Sequence, residues 1–579
     1  MTVLASAISD RQDSSARHRA QPTPTHPGLP ALVVLVVAAG AFAFASTSLA
    51  DAPPNEYGLL AAASPALLAS ILLTALGFAM AIRANNFRVA GLAVFLMIVV
   101  QRLPTAIGTD GPLYPWVYKH LGVVDYIQHT NALAPGVDVY NDWPGLFGLT
   151  AWFSDLTGLS PTTFAQWFTP GWHLLFAVLI FAAARAWDLD RMQAMVAVFI
   201  AASVNWVAQD YFSPQGTAML LAVGVIIVMG HSRQRPVAVV ILILLFTSVV
   251  ISHQLTPFWL LAAIGLLAVT KRLKPWWIFL PLSVILLAFV ASNYSAISGF
   301  LDFSGNVVDN AKSNVPTVGS AGQQLMSMMV RVLSGAMWLS TAAVLAYRAY
   351  RRQPFFALGV LALSPMLIIA GANYGGEAIF RVFLYSLVGS SIILAPGLLG
   401  LLQGRPAAFG TALSVVLVAT ALSAQGYFGG WFAYLMPRAQ VEAVDKVLME
   451  ADFPAYVSTP VPSWPQRGNW RYVDYARFKD SYDHSFIVQQ QLMGAEFDAR
   501  TDYPLLTQMV GERTDASTYL VLTDQMDQYA HYFGVLKPVG MQNLRKQALE
   551  DPFWKLVFDA DGVMVFRHDI EVDSHLGVR

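Results

Sequence analysis

Cysteine is absent from all 579 residues. Disulfides, zinc–thiolate centres and cysteine nucleophiles are thereby excluded. Charge is scarce as well. Asp, Glu, Lys and Arg make up 12% of the chain, where an ordinary soluble domain carries about a quarter. The formal net charge of −1 provides no field to draw in nucleic acid. A Gly-rich phosphate loop, His-Glu-x-x-His and Gly-x-Ser-x-Gly are all missing from the sequence, which removes P-loop, zincin and serine-hydrolase chemistry. Asp-x-Asp occurs as Asp188-Leu-Asp190 and Asp559-Ala-Asp561. The first falls in a short connection and the second in a predicted hairpin around Asp561-Gly562, so both read as turns rather than as nucleotide-sugar ligands.

What is present is apolar. The hydrophobic fraction is 56% and the mean hydropathy is +0.51. Roughly half of the charged residues lie beyond Trp431, so composition itself marks a domain boundary. Residues 1–30, rich in Ser, Pro, His and Arg, read as a disordered cytoplasmic tail. Residues 31–430 read as a transmembrane domain and 431–579 as an α/β domain.

A membrane-spanning helix needs about 20 mostly apolar residues. Thirteen candidate runs lie near 31–50, 58–82, 89–107, 171–187, 192–209, 216–230, 236–252, 257–270, 275–292, 323–346, 355–372, 378–402 and 406–428. The expected fold is an α-helical polytopic membrane protein of about thirteen transmembrane helices, with a small extracytoplasmic C-terminal α/β domain. Basic residues mark the cytoplasmic connections. Arg11, Arg17, Arg19, Arg83, Arg88, Arg185, Arg191, Arg233, Arg235, Lys271, Arg272, Lys274, Arg348, Arg351, Arg352 and Arg405 fall in every second one. This places the N-terminus in the cytoplasm. The loop 108–170, the loop 293–322 and the tail domain then fall outside. Stretches 114–127 and 146–157 of the long loop are amphipathic and are expected to lie on the bilayer surface. Trp116, Trp143, Trp152, Trp167 and Trp172 read as interfacial anchors.

Ionisable groups at a membrane edge are costly and mark candidate function. Here they gather at the outer level. Asp110, in Gly-Thr-Asp-Gly, has the chemistry of a general base or of an acid that orients a hydroxyl nucleophile; a loop acid or helix cap is the alternative. Asp142 with Trp143 and Pro144 offers a carboxylate beside an aromatic face, which suits a pyranose, or else a Pro-Gly turn. Asp210 and Gln215 flank an outer turn. His253, in Ser-His-Gln-Leu-Thr-Pro, can donate to a ligand, pair with Asp210, or serve structurally. Glu377 and Arg381 stand at i and i+4, on one helix face. They make an ion pair, or Arg381 meets a lipid phosphate while Glu377 orients it. Arg331, inside the tenth run, raises the same question. Asp110, Asp142, Asp210, His253, Glu377 and Arg381 are expected to surround one cavity open to the outer leaflet.

The tail domain shows an amphipathic helix at 438–451, strands at Ala455-Tyr-Val-Ser-Thr and Thr518-Tyr-Leu-Val-Leu-Thr, a helix at 541–550 and the Asp-Gly hairpin. No catalytic constellation is recognisable in it, and Trp464, Trp470 and Tyr472 read as packing residues.

In many spans, a large first outer loop with the early acid Asp110 and with Tyr140 and Trp143-Pro144-Gly145, a late span entered by Arg381, and an extracytoplasmic end, the chain resembles the GT-C membrane glycosyltransferases. The resemblance covers about 89–430, and the tail in placement alone. It implies a polyprenyl-phosphate-linked sugar donor, a cell-envelope glycan or lipid acceptor, action at the outer leaflet of the cell membrane, and Asp110 as base. Membrane lipids are the other expected partners. No cofactor is called for, and a divalent metal is the one admissible addition. A transporter or flippase of lipid-linked glycans is the competing class; it predicts an internal repeat and polar groups at midplane, and neither is visible in the sequence.

Overall fold

The computed structural model describes residues 28–231, 237–294, 318–371, 378–465, 467–478, 497–512 and 516–569. Arg233, Arg235, Glu377, most of the loop 293–322 and residues 1–27 lie outside the described residues.

The apolar body contains α1 (Leu29–Ser46), α2 (Ala66–Arg83), α3 (Phe87–Ile107), α4 (Pro115–Thr130), α5 (Gly145–Thr157), α6 (Pro161–Ala186), α7 (Arg191–Val204), α8 (Pro214–His231), α9 (Val237–Ser252), α10 (Thr256–Val269), α11 (Phe279–Ser292), α12 (Ala321–Tyr350), α13 (Phe356–Leu363), α14 (Ala378–Leu402) and α15 (Pro406–Phe428). Among the described residues, eight helices are long and apolar enough to cross a membrane: α1, α2, α3, α6, α8, α12, α14 and α15. The other five predicted runs hold shorter apolar helices. At 14 residues, α7 is about 21 Å long, less than the roughly 30 Å of a bilayer core. Val33, Val36 and Val37 of α1 are exposed, as apolar side chains facing lipid would be. α14 is the most buried of the long helices. A Cβ on its Gly389 would stand 2.5 Å from the Ala362 backbone nitrogen, so α14 and α13 cross with their backbones in near contact.

Two boundaries differ from the sequence reading. The fourth run begins ten residues earlier, at Pro161. Ser160 caps that helix by accepting the Thr163 N–H at 3.1 Å, and Pro161 pre-sets the first turn. The second run is broken, because Ala63 turns extended (ψ 170°) after a separate four-residue helix at Leu59–Ala62, and Pro65 then starts α2.

The C-terminal part holds α16 (Arg438–Glu450), β1 (Ala455–Ser458), α17 (Tyr472–Phe478), α18 (Asp502–Gly511), β2 (Ser517–Thr523), α19 (Asp524–Phe533), α20 (Pro538–Glu550), β3 (Lys555–Ala560) and β4 (Val563–His568). The sheet order is β1-β2-β4-β3, with β1 parallel to β2 and the other pairs antiparallel. β1 and β2 are buried along their whole length. The β3–β4 turn is Asp561-Gly562, both with positive φ, as a two-residue hairpin of this twist requires.

One hydrophobic core joins this sheet to the segment between α3 and α6. α4 is therefore not a bilayer-surface helix. Its Val117, Leu121 and Val124 are buried in that shared core. α5 does keep an outward apolar stripe of Leu149, Trp152 and Leu156, spaced for one helix face. Polar contacts fasten the same junction. Arg467 Nη1 donates to Asp138 Oδ2 at 2.8 Å, and Asn141 Nδ2 donates to the Tyr472 hydroxyl at 2.7 Å. The Trp470 N–H donates to Asp125 at 2.8 Å, and the Trp470 ring stacks on His129. Trp464 and Tyr472 are buried, consistent with packing.

His120 on α4 is a pH-sensitive part of this junction. Its Nδ1–H donates to the Phe212 carbonyl at 2.7 Å among Tyr140, Phe147 and Tyr211. Burial pushes its pKa down from 6.5 to about 4. Lys119 adds to the depression, while the Phe212 bond and Asp138 oppose it. A depressed folded-state pKa means that the neutral ring is a stabilising state, fully present above pH 6.5 and lost as pH falls toward 4. Thermal unfolding of the purified chain is expected to weaken by on the order of 3 kcal/mol over that window. His120→Gln should flatten the pH profile between those values; an unchanged slope would remove His120 as its source.

Candidate functional site

The ends of α3, α6, α7, α8 and α15 meet at the face that also carries α4, α5 and the sheet. Here the bundle buries a polar cluster. Arg102, two turns from the end of α3, is fully buried. Its Nη2 donates to the Asn205 carbonyl at 2.5 Å, its Nη1 lies 3.7 Å from Asp210 Oδ2, and its guanidinium sits 3.8 Å from the ring centroid of Tyr427 on α15. His173 Nε2 on α6 is 2.6 Å from the same Asp210 oxygen. Asp210 is thus held between an arginine and a histidine, the form in which a carboxylate tolerates an apolar bundle.

The turn 205–213 leads directly into α8. Gln215, in the first turn of α8, accepts from Arg381 Nε of α14 at 2.6 Å. That contact orients the Gln215 amide. Its Nε2, a buried donor, has no acceptor among the described residues. The first turn of α8 is closed within the chain: Pro214 has no N–H, the Gly216 N–H donates to Ser213 Oγ at 3.1 Å, and the Thr217 N–H donates to the Ser213 carbonyl at 3.2 Å. His253, at the end of α9, feels the positive charge of Arg381 and joins a chain in which Thr256 Oγ1 lies 2.9 Å from His253 Nδ1 and 2.7 Å from the Tyr385 hydroxyl. Asp210, Gln215, Arg381 and His253 therefore belong to one polar layer, from segments far apart in the chain.

Asp110, the expected base, and Asp142, the expected sugar-facing acid, lie elsewhere. Asp110 is exposed. Its segment is tied down by Thr109 Oγ1, which bonds the Thr105 and Gly111 carbonyls, and by Gln166 Nε2, which donates to the Ala106 carbonyl at 2.6 Å and the Thr109 carbonyl at 3.1 Å. The charge of Asp110 acts on Arg438 of α16. Asp142 is partly buried, and its Oδ1 accepts the Gly136 N–H at 3.0 Å. Burial raises its pKa, against that hydrogen bond and with a further push from Asp138. Trp143 is buried against Phe289 of α11, so it offers no open face. Arg331 on α12 is exposed and bonds back to the Ser327 carbonyl.

The cavity at this face, about 430 Å³, lies between the bundle and the C-terminal part. Its walls are Tyr114, Trp116, Trp206, Tyr211, Tyr427, Tyr434, Tyr529, Tyr532 and Phe533, with Gln209 and Gln323 as polar members. None of Asp110, Asp142, Asp210, His253 or Arg381 lines it. The expected ring of charges around one wet pocket is replaced by an aromatic chamber next to a charge layer that is paired inside protein. An ion left inside the bundle without water must find a fixed partner there, as Asp210 does in Arg102 and His173. Tyr114 holds φ 82°, rare for a residue with a side chain, and its N–H donates to the Tyr434 carbonyl at 3.1 Å. Among the interfacial tryptophans expected, Trp152 and Trp167 are exposed, Trp143 and Trp172 are buried, and Trp116 faces the cavity.

Arg102, His173, Asn205 and Tyr427 were missed by the sequence reading. A signal for the first existed: Gln101-Arg102 interrupts an otherwise apolar run. Among the described residues no group of three or more His, Asp or Glu is arranged to hold a metal ion.

No protein-family model matches the chain, and no curated protein matches it. The solved structures it is similar to include ArnT from Cupriavidus metallidurans bound to undecaprenyl phosphate, at 11% identity and a TM-score of 0.44, covering 85% of this chain and 98% of that one. They also include the apo state of the same protein, at 13% identity and a TM-score of 0.43, covering 83% and 97%. No residue correspondence follows from matches so distant.

Proposed function

We propose that this chain is a membrane glycosyltransferase that moves a sugar from a polyprenyl-phosphate donor to a cell-envelope acceptor at the outer leaflet. The observation that carries the reading is the anion-ready corner at the head of α8. Arg381 and the unsatisfied Gln215 amide donor converge there, which together favour a phosphate. The aromatic chamber adjoins this corner through the turn 205–213, since Gln209 and Tyr211 line it. Its volume lies within the roughly 300–1,000 Å³ of small-molecule sites, and its tyrosine faces suit a sugar ring. Donor phosphate at Arg381 and sugar in the chamber leave the acceptor hydroxyl to approach from the rim. Asp110 is the base in this reading: an exposed carboxylate on a hydrogen-bonded segment, four residues before the chamber wall at Tyr114. Asp210 is a positioning residue, because its bonds to Arg102 and His173 shape the turn that presents Gln215. The basic residues at the opposite ends of the helices put that end in the cytoplasm.

The test is reconstitution in liposomes with a labelled polyprenyl-phosphate sugar. Asp110→Asn should lower transfer by about a hundredfold with unchanged thermal stability, the scale of a lost general base. If the wild-type chain moves the labelled lipid between leaflets with the sugar–phosphate bond intact, it is a carrier and the transferase reading falls.

A further inference from the structure

A second, larger cavity lies at the far ends of the same helices. α6 runs from the loop face to Ala186, α7 starts back at Arg191, and α8 ends at His231. Between these ends and those of α10, α12 and α14 is a space of about 870 Å³. Arg185, Arg272 and Arg348 line it, and Asp188 is the one acid there. Three guanidinium charges stand against one carboxylate.

Each arginine is placed by the fold. Arg185 Nη1 donates to the Leu189 carbonyl at 2.5 Å, and Arg348 Nη1 donates to the Pro354 carbonyl at 3.3 Å. The Arg272 guanidinium lies 5.0 Å from the Phe356 ring centroid. The carbonyl contacts of Arg185 and Arg348 fix position without cancelling charge. Apolar side chains share the wall, with Leu267, Leu358 and Ile392 contributed by three different helices, beside Gln193, His231 and Gln353. Basic and apolar side chains lining one space, at the ends of membrane helices, match a phosphate ester that carries acyl chains. The volume exceeds what one inorganic anion fills. We propose that this cavity binds the headgroup of an anionic phospholipid from the leaflet opposite the aromatic chamber. The argument does not use the transferase reading and stands apart from it.

The full-length chain, purified and delipidated in detergent, tests the proposal by native mass spectrometry with added phosphatidylglycerol, phosphatidylcholine or inorganic phosphate. Phosphatidylglycerol is expected to bind about tenfold or more tightly than phosphatidylcholine, and the R272Q/R348Q double variant to reduce that preference to near unity. Excess inorganic phosphate is expected to leave the lipid bound. Equal binding of the two lipids by the wild-type chain overturns the site, whether or not the variant folds. So does a preference that survives in the double variant, or complete displacement of the lipid by inorganic phosphate.

Discussion

Exchange of Arg381 for glutamine is expected to weaken transfer from a polyprenyl-phosphate donor by about a hundredfold, mostly through KM for the donor. A charge-assisted contact to a phosphate contributes about 1.5–3 kcal/mol, and each 1.4 kcal/mol is a factor of about ten. Arg381 is suited to this role because the fold has already desolvated it. It is buried on the most buried long helix, with its Nε committed to Gln215 at 2.6 Å. The Nε contact sets the plane of the guanidinium, and a planar fork held in one plane suits a phosphate better than a flexible ammonium. Arg381→Lys keeps the charge but loses the fork, so an intermediate loss of about tenfold is expected. Gln215→Leu removes the amide donor and the orienting acceptor together and should resemble the glutamine variant. Donor KM measured at fixed acceptor separates these outcomes from a general loss of folded protein. A donor KM unchanged in Arg381→Gln would take the phosphate away from this corner.

The second large effect is on stability. Arg102→Met should destabilise the bundle by about 3–5 kcal/mol, the scale for breaking a buried ion pair from one side. The substitution keeps the apolar stem but strands Asp210 with His173 as its remaining hydrogen-bond partner. It also frees the Asn205 carbonyl and empties the space over the Tyr427 ring. Asp210→Asn is expected to cost a similar amount, because it leaves Arg102 buried and uncompensated. The double variant R102M/D210N should lose clearly less than the sum, since each change removes what the other stranded. Thermal unfolding of the four proteins in one detergent is the measurement. Strict additivity would mean that the two charges do not act as a pair.

Several features were legible in the sequence because they depend on one segment at a time. Each of the thirteen apolar runs contains a helix, and the hairpin turn falls at Asp561-Gly562. Asp188 and Asp190 belong to a turn, with Asp190 capping α7 through a reciprocal bond with Gln193. Other features were not legible. α4 carries the amphipathic pattern of a surface helix, yet its apolar face is covered by the C-terminal part. The pattern reports that a face must leave water, and either lipid or protein satisfies it. Asp110 and Asp142 stood out as acids in flexible contexts, while Arg102 was absorbed into an apolar run. Its importance rests on Asp210 and His173, which reach it from elsewhere in the chain.

The sequence by itself determined that the chain partitions into an apolar body and a charged C-terminal part, which segments are helical, and where the basic connections fall. Those are transfer free energies of local stretches, and no partner is needed to evaluate them. The tertiary structure decided which charges are paired, that Gln215 aims an amide beside Arg381, and that tyrosines from the body and the C-terminal part enclose one chamber. It also brought Arg185, Arg272 and Arg348 to one cavity at the opposite face. These outcomes depend on which helix faces meet. Helices of similar apolarity can pack in many ways, and small residues such as Gly389, together with the need to satisfy each buried polar group, select among them.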